Sequence, residues 1–200
     1  MFWVIKAIVK VIIKIFFPTK VIGRENFIDK PSIVAGNHLS GWDVPIAYVS
    51  TPHRMMALAK KELIGVPVLG GLMRRLGAIP VDRKNVSPNT IKEVVRRLKA
   101  GEKLLLYPEG TRNKGEDETA MGTLKNGAAY FALSTGVPVI PILLDKRPKV
   151  FRKNILMVGK PIYFEGLKPN KEDIAKASEI IKGAMEQLRR DIDEYKAGGR

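Results

Sequence analysis

The stretch PSIVAGNHLSGWDVPIAYVS, residues 31–50, decides how this chain is read. Ser32 to Ala35 is short, apolar and β-prone, and it stops at Gly36-Asn37, the pattern of a buried strand. Asp43 then precedes Val44-Pro45 and an apolar run to Val49, which suits a helix capped by Asp43 with proline in its first turn. A buried strand passing through a polar loop into a helix is the repeating unit of a sheet with helices packed on it.

The same alternation continues downstream. Arg54 to Ala59, Ala78 to Val81, Lys103 to Tyr107, Val137 to Leu143 and Ile155 to Val158 read as further strands. Ser87-Pro88 opens a helix with Ile91, Val94, Val95 and Leu98 at helical spacing, and Gly101 ends it. Leu124 to Leu133 is a less regular helix. The C-terminal segment is the clearest, with Ile174, Ile181, Met185, Leu188, Ile192 and Tyr195 on one face. The expected fold class is therefore α/β, a largely parallel or mixed sheet flanked by helices. The helical stripes are expected to be core rather than binding surface.

Upstream, residues 1–17 are apolar except for Lys6, Lys10 and Lys14. On a helix these three lysines fall within a wedge of roughly 80°. A strand would also place them on one side, but the segment is longer than the usual strand of about five or six residues, so a helix is expected. Such a helix spans about 25 Å, short of the roughly 30 Å hydrocarbon core, which favours an amphipathic helix lying in the membrane interface over a spanning one. A secretory signal fits less well, because lysines interrupt the apolar run and no small-residue cleavage site follows. The plainer alternative is a helix packed on its own domain. The expected division is a membrane-associating helix, residues 1–20, and one domain that carries the sheet, residues 21–200.

Composition narrows the function classes. Two hundred residues at 45% hydrophobic content suit a single core, and the absence of cysteine removes thiolate chemistry, disulfides and Cys-based zinc sites. The formal charge of +15 fits anionic lipid, polyanionic substrates or nucleic acid. Aromatics are only 7% and no RNP-type, KH-like or zinc-finger signature occurs, so nucleic acid is not expected as a partner.

In open α/β sheets ligands gather where strands end. Four such loops stand out: Asn37 to Asp43, Gly77 to Arg83, Tyr107 to Arg112, and Val137 to Ile142. In the first, a turn through Gly41 can return the Asp43 carboxylate to the His38 ring, fixing its tautomer and freeing the other nitrogen to take a proton. That is the division of labour of a hydrolase triad without its serine, with a substrate hydroxyl as the attacking group. Taken alone, this loop is explained better by Asp43 as a helix cap. The other loops shift the balance, since Arg83 and Arg112, each at a strand end, can clamp a phosphate monoester. The fourth loop is apolar and can line an acyl pocket or be core strand. No metal site is expected, and His53 reads as a surface loop residue.

The ordered set Asn37-His38-x4-Asp43, Gly77 to Arg83, Glu109-Gly110-Thr111-Arg112 and Val137 to Ile142 resembles the four-block pattern of the glycerolipid acyltransferase family, and its YPEGTR form resembles the 1-acylglycerol-3-phosphate acyltransferase branch. The second block departs from the family in having Pro80 where a large apolar residue is common. The resemblance implies transfer of an acyl group from a thioester, acyl-CoA or acyl carrier protein, to lysophosphatidic acid, giving phosphatidic acid without another cofactor. It implies His38 as general base, Asp43 as its orienting partner and Arg83 and Arg112 as phosphate ligands. Glu109, Gly110 and Thr111 would shape the acceptor site, with Lys60 a lesser candidate. The expected place of work is the cytoplasmic face of the cell membrane, as a peripheral or monotopic protein. Glycerol 3-phosphate or another lysophospholipid as acceptor, and a non-catalytic membrane-binding module, are the alternatives.

Overall fold

The computed structural model describes residues 2–82, 85–110, 112, 113, 115 and 124–198. Seven strands form one mixed sheet: β1 Thr19–Ile22, β2 Ile33–Gly36, β3 Met55–Lys60, β4 Ala78–Val81, β5 Lys103–Leu106, β6 Val139–Leu144 and β7 Asn154–Val158, in the order β1-β7-β6-β2-β5-β3-β4. β6, β2, β5, β3 and β4 are mutually parallel, and β7 pairs antiparallel with β6. The expected mixed α/β sheet is what forms.

The central strands read as near-continuous apolar runs because both faces of the sheet are covered. Along β2, Ile33 and Ala35 enter one core while Val34 enters the other. The first core lies under helices α5 Pro88–Lys99, α6 Gly127–Thr135 and α7 Lys171–Ala197. The second lies under α1 Phe2–Phe16 and α2 Asp43–Ser50. Helix α7, about 40 Å long at 1.5 Å per residue, buries Ile181, Met185, Leu188 and Ile192, the stripe expected from the sequence. The hydroxyl of Ser87 caps α5 by accepting the N–H of Thr90, also as expected.

Three features differ from the sequence reading. β1 was not expected, since four residues after a proline carry little signal until β7 pairs with them. Two short helices, α3 Lys61–Ile64 and α4 Leu69–Arg75, fill the β3–β4 connection. Asp43 is not an N-cap: it is the first residue of α2, and its carboxylate turns back into the preceding loop.

Residues 2–16 form the expected helix, but its lysine wedge is split: Lys6 turns inward, Lys10 is half-buried and Lys14 is exposed. Lys6 is buried and donates to the carbonyl oxygens of Thr51 (2.9 Å) and His53 (2.7 Å) where α2 ends. There it meets the negative end of the α2 dipole and lies 5.2 Å from the Tyr48 ring centroid. The solvent side of α1 instead carries Trp3, Val4, Ile8, Val11, Ile12, Ile15 and Phe16, each at least 41% exposed.

Candidate active site

Because β2, β5, β3 and β4 are parallel, their C-terminal ends share one edge of the sheet. That edge delivers the His38 loop after β2, Lys60 at the end of β3, and the Tyr107–Gly110 turn after β5. β4 ends there at Val81, while Arg83 lies outside the described residues, as does Thr111.

Within the first loop, Trp42 and Gly41 turn the chain so that Asp43 meets His38, with Nδ1 to Oδ2 at 2.9 Å. The same Oδ2 accepts the backbone N–H groups of Leu39 and Ser40, both at 2.6 Å. Three donors on one buried oxygen hold the carboxylate and assign the Nδ1 proton to the Asp43 side. No described residue engages the other ring nitrogen, Nε2. The Ser40 hydroxyl accepts the Trp42 N–H at 2.9 Å, so it serves the turn.

The loop is pinned from three further directions. The Asn37 amide donates to the Leu144 carbonyl (3.0 Å) and accepts the Leu144 N–H (2.8 Å), tying the loop to the end of β6. The His38 N–H donates to Glu109 Oε1 at 3.2 Å, and the His38 carbonyl accepts the Asn113 N–H at 2.7 Å. The His38 ring stacks on Tyr107 at 4.5 Å and 24°. Burial pushes the Glu109 carboxyl above the usual carboxylate range; the His38 contacts oppose this and the Asp43 charge adds to it. Burial, reinforced by Asp43, likewise keeps the Tyr107 hydroxyl protonated.

His38 also lines a cavity of about 650 Å³, within the roughly 300–1,000 Å³ typical of small-molecule sites. Its floor is β3 and β5, through Leu58 and Leu105, and its walls are α5, α6 and the start of α7, through Ile91, Phe131 and Ile174. Few polar groups interrupt this lining. They include His38 and Tyr107, with Lys125 and Lys171 among the rest. Gly110, at φ +72°, takes a left-handed conformation natural only to glycine, and a Cβ there would lie 2.9 Å from Lys125 Cδ.

His38, Asp43, Glu109 and Gly110 come together. Arg112 is exposed, one residue before the Asn113 that bonds to His38, and Lys60 is exposed beside Glu62 at 3.4 Å. Of the fourth loop, Val139 to Ile142 are buried core strand and none of it lines the cavity. Pro80 is exposed on the edge strand, where no ladder bond is lost, while Val81 lines the cavity. His53 pairs with Asp29 at 3.5 Å. Among the described residues no cluster of three or more His, Asp or Glu could hold a metal, and no helix is long and apolar enough to cross a membrane. Tyr107 and Asn37 belong to the quoted loops but had no role assigned from the sequence, because stacking and cross-strand bonding leave no periodic signal.

Comparison with known proteins bears on this site directly. The sequence model of the acyltransferase family matches residues 18–145. A 1-acyl-sn-glycerol-3-phosphate acyltransferase of Bacillus subtilis is 32% identical over 196 residues, covering 92% of this chain and 95% of that one. An enzyme of the same name from Haemophilus influenzae is 31% identical over 179 residues, covering 84% of this chain and 72% of the other. The crystal structure of the 1-acyl-sn-glycerophosphate (LPA) acyltransferase PlsC from Thermotoga maritima superposes with a TM-score of 0.73 at 25% identity, covering 94% of this chain and 79% of that one.

Proposed function

The chain belongs to the acyltransferase family, and from that premise we propose that it transfers a fatty acyl group from a thioester to the free hydroxyl of 1-acylglycerol 3-phosphate, giving phosphatidic acid. The observation that carries this reading is the His38–Asp43 pair at 2.9 Å, with Nε2 uncommitted beside an apolar cavity.

A thioester is already activated, so the protein needs to position two substrates and move one proton. His38 Nε2 takes the proton of the acceptor hydroxyl as its oxygen attacks the thioester carbonyl carbon. Asp43 holds the imidazole in place and stabilises the imidazolium that forms. When the tetrahedral intermediate collapses, the C–S bond breaks and the proton passes from Nε2 to the leaving thiolate. Products are the new ester and the free thiol of coenzyme A or acyl carrier protein.

The cavity suits the donor's acyl chain, since its apolar lining offers burial worth about 0.8 kcal/mol per methylene. Arg112 and Arg83 are assigned to the acceptor phosphate, Glu109, Gly110 and Thr111 to the shape of the acceptor site, and Lys60 to a supporting charge. The exposed apolar side of α1 is assigned to the membrane interface, supported by side chains that no core contact uses. The assignment goes with a peripheral or monotopic enzyme on the cytoplasmic face of the cell membrane, where acyl thioesters are available.

The test is a panel of acceptors, lysophosphatidic acid, glycerol 3-phosphate and neutral lysolipids, each offered with one labelled acyl thioester. Phosphatidic acid should dominate the mass spectrum. Product from glycerol 3-phosphate alone would move the assignment to a different acceptor, and no product at all would leave only a membrane-binding module.

A further inference from the structure

The connection between β6 and β7 contains a short turn, Lys149 to Arg152, closed by the Arg152 N–H on the Lys149 carbonyl at 3.1 Å. Phe151 sits on this turn at φ +58°, a conformation that bulky side chains avoid and glycine adopts freely. Its ring is 67% exposed and rests on Phe16 of α1, centroids 5.4 Å apart, while its N–H donates to the Phe16 carbonyl at 2.7 Å. Strained backbone that presents an aromatic ring to solvent gains nothing for the core. Strain retained in this way points to a use for the ring.

The surroundings say which use. Val150 beside it is 49% exposed, and Lys149, Arg152 and Lys153 are all exposed. The turn is therefore an apolar tip collared by cations, and it is fastened to the end of the helix whose outer side is apolar. On the inner side of that same helix end, Phe17 packs on Trp42 at 4.7 Å, and Trp42 adjoins Asp43. The exposed Phe151–Phe16 pair is thus followed directly in the chain by buried Phe17, which ties the helix end to the edge of the His38 loop.

We propose that the Lys149–Lys153 turn is a second membrane-docking element: Phe151 and Val150 enter the interface of an anionic bilayer, and Lys149, Arg152 and Lys153 contact lipid phosphates. Aromatic rings favour the headgroup level, and each basic residue near an anionic surface adds to binding. Two attachment points, α1 and this turn, fix rotation about the helix axis, so the docked protein presents the His38 edge to the membrane that holds its acceptor. The proposal rests on the reading of α1 as an interfacial helix, and the experiment separates the two.

Full-length protein is partitioned onto vesicles of phosphatidylcholine alone and of phosphatidylcholine with phosphatidylglycerol in equal parts. Phe151→Gly should weaken binding to both by about tenfold or more, the effect of withdrawing a buried aromatic ring, with Tm unchanged or raised because glycine relieves the turn. Replacing Lys149, Arg152 and Lys153 together by Gln should weaken binding to anionic vesicles by about a hundredfold and leave neutral vesicles unaffected. Ile8→Ser with Ile12→Ser tests the helix. If this pair binds like the parent, the reading of α1 fails. If it weakens binding while Phe151→Gly does not, the turn has no docking role. Halving of the sedimentation mass by Phe151→Gly in vesicle-free buffer would assign the surface to a second copy of the chain and overturn the proposal.

Discussion

The catalytic loop and helix α1 both break the usual rule for surfaces, in opposite ways. In the loop, polar groups are buried and bonded to one another: Asp43 Oδ2 gathers three donors, and the backbone of His38 is tied on both sides. In α1, a lysine is turned inward onto two carbonyls while seven large apolar side chains face out. A self-satisfied polar network in a dry place fixes geometry for chemistry. An outward apolar face is open to a partner, and for α1 the proposed partner is a membrane interface. The two features are also joined, since Phe17 at the end of α1 packs on Trp42 next to Asp43.

This contrast can be broken at either side. Asp43→Asn removes the charge from the loop while leaving an oxygen for the N–H groups, and kcat should fall about 10²- to 10⁴-fold with secondary structure intact by circular dichroism. On the other side, the Ile8→Ser, Ile12→Ser pair should lower vesicle partition by about ten- to hundredfold. It should lower turnover on vesicle-held acceptor while sparing turnover on a monomeric short-chain acceptor.

The smallest effect concerns the joint between the regions. Burial, with the charges of Lys10 and Arg24 adding to it, lowers the Lys6 pKa from 10.5 to about 8. Between about pH 8 and 10.5 the unfolded chain therefore binds more protons than the folded one at this position. The burial penalty is complete below pH 8 and is relieved as pH rises through that window. Urea unfolding of the parent and of Lys6→Met should show their stability difference shifting by about 1–3 kcal/mol in favour of the parent over that range. A pH-independent difference would mean that Lys6 is not buried as described.

The geometry of the loop was largely legible in the sequence because a His and an Asp five residues apart can meet across a strand-to-helix turn, as His38 and Asp43 do. Strand, turn and helix around His38 each leave a local signature, as does the Ser87 cap of α5. What escaped notice depends on partners distant in the chain: β1 exists because Thr19 to Ile22 pair with Asn154 to Met157, and Tyr107 matters because it lies against His38. The α1 helix shows the same limit from another side. Periodicity identified a lysine wedge and an apolar arc, but the fold divides both: Lys6 turns inward onto the carbonyl groups at the end of α2 and Ile13 enters the core, while Lys14 and most of the arc face out. The position of Asp43 suggested a cap, and three donors upstream of it decided otherwise.

The central claim is that His38 removes the proton from the acceptor hydroxyl. Its most direct test is His38→Ala with labelled acyl thioester and lysophosphatidic acid in vesicles, following phosphatidic acid by mass spectrometry. The account predicts at least about 10²- to 10⁴-fold loss of turnover, with vesicle binding and Tm close to those of the parent. Turnover within a few fold of the parent would contradict it.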